Sequence, residues 1–340
     1  MKAMILAAGV GSRLDPLTRN VPKPMVPVVN KPVMEHIVEL LARNGVKDIM
    51  VNLYYLGDQI RNYFGNGKKW GVRISYSPED QLWGDAGSVK RCEEFFDEDT
   101  FIVVGGDDLA DIDLRRLVRF HQDKKAIATI ALSLVDDPSE YGIALLNDRG
   151  RITRFLEKPK GEVIFSNSAN TGVYVFDRRV LELIPKNTPY GFGNHLFPML
   201  LEQRARFFGY LTSSYWKDVG SLRQYQDAHR DALNGRLECK IPVPETRKYV
   251  WMGANVEIDP TAEIGYPVVI GNTCQDREGR ETPGILRSGG QLRARKGIGG
   301  QAECTVGRRV RDVEHGARKV RGRRSLQREI QRGGIRWRDS

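Results

Sequence analysis

The sequence predicts an α/β protein whose main domain is a Rossmann-like, doubly wound mixed sheet. Apolar runs of strand length alternate with segments of helical period in residues 1–135, which is the pattern of a mostly parallel sheet covered by helices. Strands with short turns follow, and an aliphatic side chain then recurs at every sixth position. The predicted divisions are the α/β domain at 1–235, a linker at 236–249, a hexapeptide segment at 250–271 and a basic tail at 272–340.

The first half of the α/β domain is predicted to alternate parallel strands with amphipathic helices. In the first helix Val33, Ile37 and Leu40 fall on one face, which would pack on the sheet. The elements predicted here are strands at 3–8, 48–53, 72–77, 100–105 and 126–134 and helices at 33–43, 59–64 and 88–96.

The second half has short strands and turns, which we interpret as the completion of one mixed sheet. Its predicted elements are strands at 141–146, 152–157 and 172–176, helices at 179–184, 197–203 and 222–233, and a strand end at 216–220. The histidines at 121, 195 and 229 have no partner pattern, and we interpret them as structural or exposed.

The hexapeptide segment has Met252, Ile258, Ile264 and Ile270 at a period of six. This spacing is typical of a parallel β-helix, in which each repeat supplies one short strand with an inward aliphatic side chain. A variable linker is the alternative. The series fails at Asp276, as if the β-helix were truncated.

The net charge of +10 comes from the tail. Residues 272–340 carry 18 Lys and Arg against 8 Asp and Glu, while the rest of the chain holds 35 of each sign. A segment with such charge and little apolar content is predicted to be disordered in isolation. It is either a native basic arm or an out-of-frame end, and the uncapped repeat favours the second. Nucleic acid is an unlikely partner because the tail has neither a repeated interleaving of aromatic residues with its charges nor the pattern of a folded binding module.

Cysteine usage and hydropathy favour a cytoplasmic protein. Four scattered cysteines have neither the density of a disulfide scaffold nor the spacing of a zinc site. The apolar run at 1–8 enters a glycine turn without a cleavage pattern, so we interpret it as a strand and not as a signal peptide. No apolar stretch approaches the ~20 residues that span a bilayer, so no membrane partner is expected.

The first strand leads into Gly9-Val10-Gly11-Ser12-Arg13. Two glycines let backbone N–H groups approach a phosphate closely, and Arg13 and Lys23 add positive charge. A dinucleotide fingerprint would need a third glycine where Leu14 stands, and P-loop spacing is absent. A structural turn explains Gly-x-Gly equally well when it is taken alone.

The longer stretch from Leu6 to Thr18, with Pro22-Lys23-Pro24-Met25, resembles the signature of the sugar-1-phosphate nucleotidylyltransferases. The resemblance covers residues 1 to about 235, and the hexapeptide segment resembles the left-handed β-helix that many members carry next. Agreement continues in family order through Gly84-Asp85-Ala86-Gly87, Gly106-Asp107, Tyr141-Gly142, Glu157-Lys158-Pro159, Asn170-Thr171-Gly172 and Trp216-Lys217-Asp218-Val219-Gly220.

The resemblance implies that a sugar 1-phosphate oxygen attacks the α-phosphorus of a nucleoside triphosphate and that pyrophosphate leaves, assisted by Mg²⁺. Such a displacement needs alignment and charge stabilisation but no protein nucleophile. Arg13, Lys23 and Asp107 are the implied catalytic residues. Asp107 and Asp218, both at strand ends, would repel each other unless a cation such as Mg²⁺ lay between them. Taken alone, Asp107 could equally be a helix cap or a turn residue, and Asp218 could equally be a solvated acid.

The resemblance also implies two sets of substrate contacts. The nucleotide would contact Leu6, Ala8, Gly9, Gly11, Ser12, Arg13, Lys23, Asp85 and Gly87. The sugar phosphate would contact Gly142, Glu157, Lys158 and Asn170.

Two positions depart from the family pattern. Ser12 replaces the usual threonine and keeps its hydroxyl, whereas Asp85 replaces a threonine or serine and adds a carboxylate. Asp85 could accept from guanine, repel phosphate, or simply face solvent.

The substrates that the resemblance favours are mannose 1-phosphate and GTP, with glucose 1-phosphate and UTP or dTTP as the alternative. A non-catalytic regulatory homologue is the alternative of another class, and the retention of Arg13, Lys23 and Asp107 argues against it. A homo-oligomer assembled through the hexapeptide segment is a further expectation.

Overall fold

The computed structural model describes residues 1–159, 164–256 and 266–273, together with the backbone of 285–287. Its strands are β1 (Lys2–Leu6), β2 (Pro27–Val28), β3 (Lys31–Pro32), β4 (Asp48–Leu53), β5 (Arg73–Pro78), β6 (Thr100–Gly105), β7 (Asp108–Ala110), β8 (Ala128–Leu134), β9 (Ile143–Leu146), β10 (Ile152–Leu156), β11 (Ser168–Asp177), β12 (Phe207–Leu211), β13 (Trp216–Asp218), β14 (Glu245–Arg247), β15 (Val250–Met252), β16 (Val268–Ile270) and β17 (Ile285–Arg287).

The α-helices are α1 (Val33–Arg43), α2 (Gly57–Phe64), α3 (Asp85–Arg91), α4 (Leu114–Asp123), α5 (Phe197–Glu202) and α6 (Leu222–Leu233). Short 3₁₀ turns lie at Ser12–Leu14, Leu17–Arg19, Lys23–Met25, Lys68–Trp70, Glu93–Phe95 and Arg178–Leu183, and a π-helical turn lies at Phe192–Leu196. In the described part of the chain, no helix is long and apolar enough to cross a membrane.

The chain divides into two compact units. Among the described residues, the first contains those of Met1–Val26 and Val33–Gly220, and the second contains Pro27–Pro32 and those from Ser221 onward. The boundary between these units, after Gly220, differs from the expected end of the α/β domain at residue 235. The expected domain boundaries stay a prediction.

A nine-stranded mixed sheet forms the first unit, as the sequence predicts. β1 is central and pairs in parallel with β4 and β6, while β5 pairs in parallel with β4. β11 runs antiparallel to β6 and β8, and the β9–β10 hairpin joins the sheet through β11. Leu6, Asn52 and Gly105 are in register, so the carboxyl ends of three parallel strands meet at one edge. Ligands bind at this edge in open α/β sheets.

The core of the first unit contains an aromatic layer that joins the sheet to the segments packed on it. Phe96 and Phe101 stack with their ring centroids 4.1 Å apart, and Phe192 and Phe197 stack at 5.7 Å. All four side chains are buried. Each fully buried side chain of this size contributes roughly 1.5–3 kcal/mol, so this layer anchors the loop that carries Phe192 to the sheet.

Several elements differ from the sequence predictions. The helix expected at 88–96 begins at Asp85 and ends at Arg91, and the helix expected at 179–184 is a 3₁₀ turn. β11 is five residues longer than the predicted strand at 172–176. Four of the extra residues are at its amino-terminal end, which pairs with β8 beyond a register shift between Asn170 and Tyr174.

β7 and β12 are absent from the sequence predictions. β7 exists because β13, more than a hundred residues away, supplies its antiparallel partner. β12 contains Gly209, where a Cβ would lie 2.5 Å from Leu132, so the small residue reflects a close neighbour and not a turn. The sequence around β7 and around β12 gives no sign of the distant strands, β13 and β8, with which they pair.

Helix α6 and the β2–β3 hairpin belong to the second unit. α6 has the predicted bounds and begins after Ser221, whose side chain accepts from the Gln224 N–H. The hairpin turn is held by His229, whose Nδ1 accepts from the Val29 N–H at 3.2 Å. His229 therefore has the structural role that the sequence suggests.

The second unit also contains a small sheet formed by β14, β15, β16 and β17. β15 and β16 pair in parallel, with Met252 opposite Ile270. β17 is antiparallel to β16, so the parallel arrangement stops there. Ile258 and Ile264 lie outside the described residues, as do 274–284 and 288–340 of the predicted tail.

Candidate active site

The glycine loop begins where β1 ends and is held on two sides. The Gly106 N–H donates to Leu6 O at 2.8 Å, and the Ala7 N–H donates to Asn52 Oδ1 at 2.8 Å. The loop then turns at Gly11, whose φ of 71° lies in the left-handed region that favours glycine. The start of the loop is therefore fixed to the strands on either side of β1.

The two glycines of the loop have different surroundings. A Cβ on Gly11 would lie 2.9 Å from Lys23 Cβ, whereas a Cβ on Gly9 would meet no atom within 4 Å. Gly11 is required by the turn and its packing. Gly9 faces open space. Leu6 ends β1, Ala8 precedes Gly9, and Ser12 begins the 3₁₀ turn that follows. Their contacts with nucleotide stay predictions.

Lys23 lies between two of the predicted acids. Its ammonium contacts Asp107 Oδ2 and lies 3.4 Å from Asp218 Oδ1, and its side chain is 11% exposed. Burial alone would lower the Lys23 pKa, but the carboxylates of Asp107 and Asp218 outweigh burial and raise it. The residue therefore stays positively charged.

Asp107 and Asp218 are brought together by the pairing of two strands. Asp107 immediately precedes β7, Asp218 ends β13, which pairs with β7, and the Val219 N–H donates to Asp107 O at 3.1 Å. Burial raises the pKa of Asp218, and the charge of Lys23 opposes that shift. The predicted meeting of these carboxylates at strand ends is what the structure contains.

These two carboxylates fit a magnesium ion by their chemistry. They converge on one cation, which is the Lys23 ammonium in this structure. Among the described residues, no three or more His, Cys, Asp or Glu side chains form a ready metal cage. Mg²⁺ is commonly held by one or two carboxylates and substrate phosphates, and Asp107 and Asp218 suit that mode.

Asp108 is a third acid at this site, and the sequence analysis did not select it. Burial, followed by the charges of Asp107 and Asp218, raises its pKa well above the usual range. The Trp216 indole donates to Asp108 Oδ1 at 3.2 Å, and a Cβ on Gly172 would lie 2.2 Å from Oδ2. The Asp107-Asp108 doublet was the available signal, but a doublet does not tell which acid points inward.

Arg13 extends from the glycine loop toward a different loop. Its Nη1 lies 2.8 Å from Glu140 Oε2, and the two side chains are 49% and 61% exposed. Burial raises the Asp218 pKa, and the positive charge of Arg13, like that of Lys23, opposes the rise. Arg13 is thus close to the acid cluster and is paired with a carboxylate that precedes Tyr141-Gly142.

The Glu140→Gln variant should bind nucleoside triphosphate more tightly than the unmodified protein. The substitution frees Arg13 from an exposed ion pair of about 0.2–1 kcal/mol, so KM for the triphosphate should fall about 1.5- to 5-fold. Added salt should shrink the difference. Steady-state kinetics would measure it, with Glu202→Gln on α5 as the control. An unchanged or higher KM would mean that Arg13 does not exchange Glu140 for phosphate.

A second cluster gathers the residues predicted to contact the sugar phosphate. The Asn170 N–H donates to Gly142 O at 2.7 Å, and the Lys158 N–H donates to Tyr141 O at 3.1 Å. Burial raises the Glu157 pKa, and the charge of Lys158 opposes the shift. Gly142, Glu157, Lys158 and Asn170 are therefore neighbours, and their contact with a sugar phosphate stays a prediction.

Glycines give the Glu157 carboxylate its space. A Cβ on Gly142 would lie 2.7 Å from Glu157 Oε2, and a Cβ on Gly193 would lie 2.4 Å from it. Asn170 Nδ2 donates to the Tyr174 hydroxyl at 2.9 Å, which orients the amide. Gly193 and Tyr174 are missed by the sequence analysis, because neither lies in a matched motif.

Asp85 is associated with this second cluster. Its Oδ1 accepts from the Phe192 N–H at 2.5 Å and from the Ala86 N–H at 2.8 Å. Burial raises its pKa to about 6, those two N–H groups oppose the rise, and the Glu157 charge adds to it. The residue is only partly buried as a whole, but its carboxyl is enclosed. It is therefore not the solvent-facing acid of the simplest sequence interpretation.

Gly87 has a packing role. Its N–H donates to Tyr190 O at 2.9 Å, and a Cβ there would lie 3.0 Å from Thr188 O. The close approach of the 188–190 segment explains this glycine without a ligand. Its contact with nucleotide stays a prediction.

The Asp85→Asn variant should be more stable than the unmodified protein above pH 6. The Asp85 pKa is about 6 in the folded protein and 3.8 in the unfolded chain, so the folded state binds the proton more tightly. This adds to the free energy of unfolding below pH 3.8, and the contribution is lost as pH rises through 6. Asparagine keeps the Oδ1 acceptor and removes the buried charge. The shift in the Asp85 pKa limits the gain in the free energy of unfolding to about 3 kcal/mol. Denaturant unfolding from pH 4 to 8 would measure it, with exposed Asp58→Asn as the control. A stability difference that does not vary with pH would contradict the assignment.

Known proteins similar to this chain belong to the family that the motifs indicate. The Nucleotidyl transferase family profile matches residues 2–235. UTP–glucose-1-phosphate uridylyltransferase from Synechocystis sp. is 40% identical over 82% of this chain and 76% of its own length. Mannose-1-phosphate guanyltransferase beta-B from Xenopus laevis is 36% identical over 78% of this chain and 73% of its own length.

Solved structures agree. A Bacillus anthracis protein described as a glucose-1-phosphate thymidylyltransferase, in complex with sucrose, is 29% identical, with a TM-score of 0.63 over 73% of this chain and 98% of that one. The family match, the relatives and the mixed sheet with its glycine loop point to one class. The chain belongs to the nucleotidyl transferase family, as a sugar-1-phosphate nucleotidyltransferase.

Proposed function

We propose that Arg13, Lys23 and Asp107 carry the reaction between a nucleoside triphosphate and a hexose 1-phosphate. The observation that supports this most strongly is the buried Lys23 ammonium between Asp107 and Asp218, beside the glycine loop. A sugar 1-phosphate oxygen forms a bond to the α-phosphorus while the bond from that phosphorus to the β-phosphate bridging oxygen breaks. Pyrophosphate leaves with those electrons, and no protein group needs to give or take a proton.

The chain's own residues hold and neutralise the triphosphate. Backbone N–H groups around Gly9 approach the phosphates, and Arg13 turns from Glu140 to meet them. Lys23 supplies positive charge where negative charge accumulates on the reacting phosphoryl group. Asp107 and Asp218 would hold Mg²⁺, which when bound neutralises charge on the phosphates and the leaving group.

The sugar end is held by the second cluster. The Glu157 carboxylate accepts hydrogen bonds from sugar hydroxyls, and the oriented Asn170 amide supplies further polar contacts. Lys158 pairs with the sugar phosphate. Because Asn170 Oδ1 also accepts from the Gly172 N–H and Gly172 packs on Asp108, the two clusters are joined through β11.

Two substrate pairs have specific support. Glucose 1-phosphate with UTP is favoured by the relative at 40% identity, and mannose 1-phosphate with GTP by the motif around Lys23 and by the relative at 36%. Guanine recognition by Asp85 would need both carboxylate oxygens, but Oδ1 already accepts two backbone N–H groups. We therefore put glucose 1-phosphate and UTP first and mannose 1-phosphate and GTP second.

Pyrophosphate release is the decisive experiment. Purified protein is assayed with Mg²⁺ across GTP, UTP, dTTP, CTP and ATP against mannose, glucose and N-acetylglucosamine 1-phosphates. We expect activity with one pair, which Asp107→Ala abolishes and exposed Asp58→Ala leaves intact. Silence from folded protein across the whole grid would favour a regulatory homologue that binds nucleotide sugar without turnover.

We also propose that β15 and β16 are strands of a left-handed β-helix, one turn apart. In support, the Ala254 N–H donates to Asn272 Oδ1 across 18 residues, the length of three hexapeptides. This segment would be the surface for a homo-oligomer. The oligomer is tested by comparing the mass in solution of the full chain with that of a chain ending at Leu237. Equal numbers of subunits in the two would rule out assembly through this segment.

A further inference from the structure

Asn52 connects the glycine loop to a carboxylate outside the motifs. It lies near the end of β4, in register with Leu6, and is 2% exposed. Its Oδ1 accepts from the Ala7 N–H at 2.8 Å, and its Nδ2 donates to Glu79 Oε1 at 3.0 Å. Glu79 follows β5, so the link runs from β5 through β4 to the loop after β1.

The side chain of Asn52 continues the parallel pairing by one step. β1 and β4 pair as far as Leu6 and Asn52, and beyond this point the Ala7 N–H has a side-chain acceptor in place of a strand carbonyl. On the other side of the loop, the Gly106 N–H donates to Leu6 O. The first peptide of the glycine loop is therefore clamped between Asn52 and the residue that precedes Asp107.

A carboxamide suits this position because it accepts and donates at once. An aspartate would accept from Ala7 but would face the Glu79 carboxylate, and a leucine would leave the buried Ala7 N–H without an acceptor, a loss that is costly in an interior. Burial raises the Glu79 pKa, and hydrogen bonds from Ser88 and Asn52 oppose that rise without reversing it. Glu79 thus holds the amide in one orientation and is held by it.

We propose that Asn52 is a positioning residue for nucleotide binding. It fixes the position of the glycine loop by accepting from the Ala7 N–H, and Glu79 orients its side chain. This inference rests on the proposed function, since it takes the loop as the triphosphate cradle. Asn52 does not touch the reacting atoms. It acts through the loop backbone, and a displacement of that backbone of about 1 Å can cost 10²-fold in rate.

The test is a reciprocal exchange of amide and carboxylate. Asn52→Asp alone should raise KM for the nucleoside triphosphate about 10-fold, with KM for the sugar 1-phosphate changed less than 2-fold. Combining Asn52→Asp with Glu79→Gln restores one donor and one acceptor, with the groups exchanged, and should recover most of the loss. Because the two carboxylates of Asn52→Asp repel each other, its defect should also lessen as pH falls from 8 to 6.

The control is Asn44→Asp, a half-buried asparagine whose Nδ2 donates to Leu40 O, which should keep both KM values. A merely structural role predicts that Asn52→Asp lowers the melting temperature and changes both KM values together. A triphosphate KM within 2-fold of the unmodified protein, or a double variant no better than the single one, would overturn the proposal. If the unmodified protein binds nucleotide without turnover, the proposed function fails, and the same variants tested by titration calorimetry for nucleotide Kd still decide the role of Asn52.

Discussion

Lys23→Met should lower kcat about 10²- to 10³-fold, the range for removing one preorganised group that stabilises transition-state charge. Methionine nearly matches the length of the lysine side chain and removes the ammonium that contacts Asp107 and lies 3.4 Å from Asp218. Negative charge on the reacting phosphoryl group would then face carboxylates with less compensation. Single-turnover measurement of pyrophosphate release at saturating substrates separates this loss in chemistry from weaker binding.

Exposed Lys68→Met in a 3₁₀ turn is the matched control and should keep its activity. Folding must be checked as well, because the carboxyl groups of Asp107 and Asp218 would face each other without the ammonium between them. We expect Mg²⁺ to raise the melting temperature of Lys23→Met more than that of the unmodified protein, since a cation would relieve that repulsion. A kcat within 10-fold of the unmodified protein, in a folded variant, would remove Lys23 from the reaction.

The parallel core of the sheet could be predicted because its signals are local. The apolar runs that become β1, β4 and β6 are continuous, and the carboxyl ends of such strands must meet at one edge. That rule alone brings the glycine loop near Asp107. The motif order then adds Asp218, which no spacing argument could have brought to the same point.

The other residues of the site depend on contacts that local patterns do not encode. Asn52 looks like an ordinary strand-end polar residue until its neighbour across the sheet is known. Glu140 resembles a solvated loop acid, and only the fold brings it to 2.8 Å from Arg13. Asp85 was expected at the nucleotide, but its hydrogen bond to Phe192 ties it to a loop more than a hundred residues away.

Glycines show the same limit most directly. The sequence marks Gly9 and Gly11 as one phosphate-binding motif, although only Gly11 has a positive φ and close side-chain neighbours. Gly193 carries no motif, yet its missing Cβ leaves the space occupied by the Glu157 carboxylate. The reason for a glycine is a distance to another residue, and that distance exists only in the folded chain.

Gly11→Ala should destabilise the protein and remove most activity, whereas Gly9→Ala should spare stability and weaken nucleotide binding. At Gly11 the left-handed φ of 71° strains an alanine by about 1–3 kcal/mol, and the new Cβ lies 2.9 Å from Lys23 Cβ and 3.1 Å from Thr18 Cγ2. Relief of that contact must move the loop or Lys23, so kcat should fall along with the unfolding free energy. Denaturant unfolding and steady-state kinetics measure both.

At Gly9 an added methyl group meets no protein atom within 4 Å, so the unfolding free energy should change by no more than about 0.5 kcal/mol. The same methyl group would occupy space that the triphosphate needs, and KM for the triphosphate should rise while KM for the sugar 1-phosphate stays constant. The pair therefore separates a glycine needed by the fold from one needed by the ligand. If Gly9→Ala left the triphosphate KM unchanged, the phosphates would not lie against Gly9, and the cradle would have to be sought elsewhere along the edge where β1, β4 and β6 end.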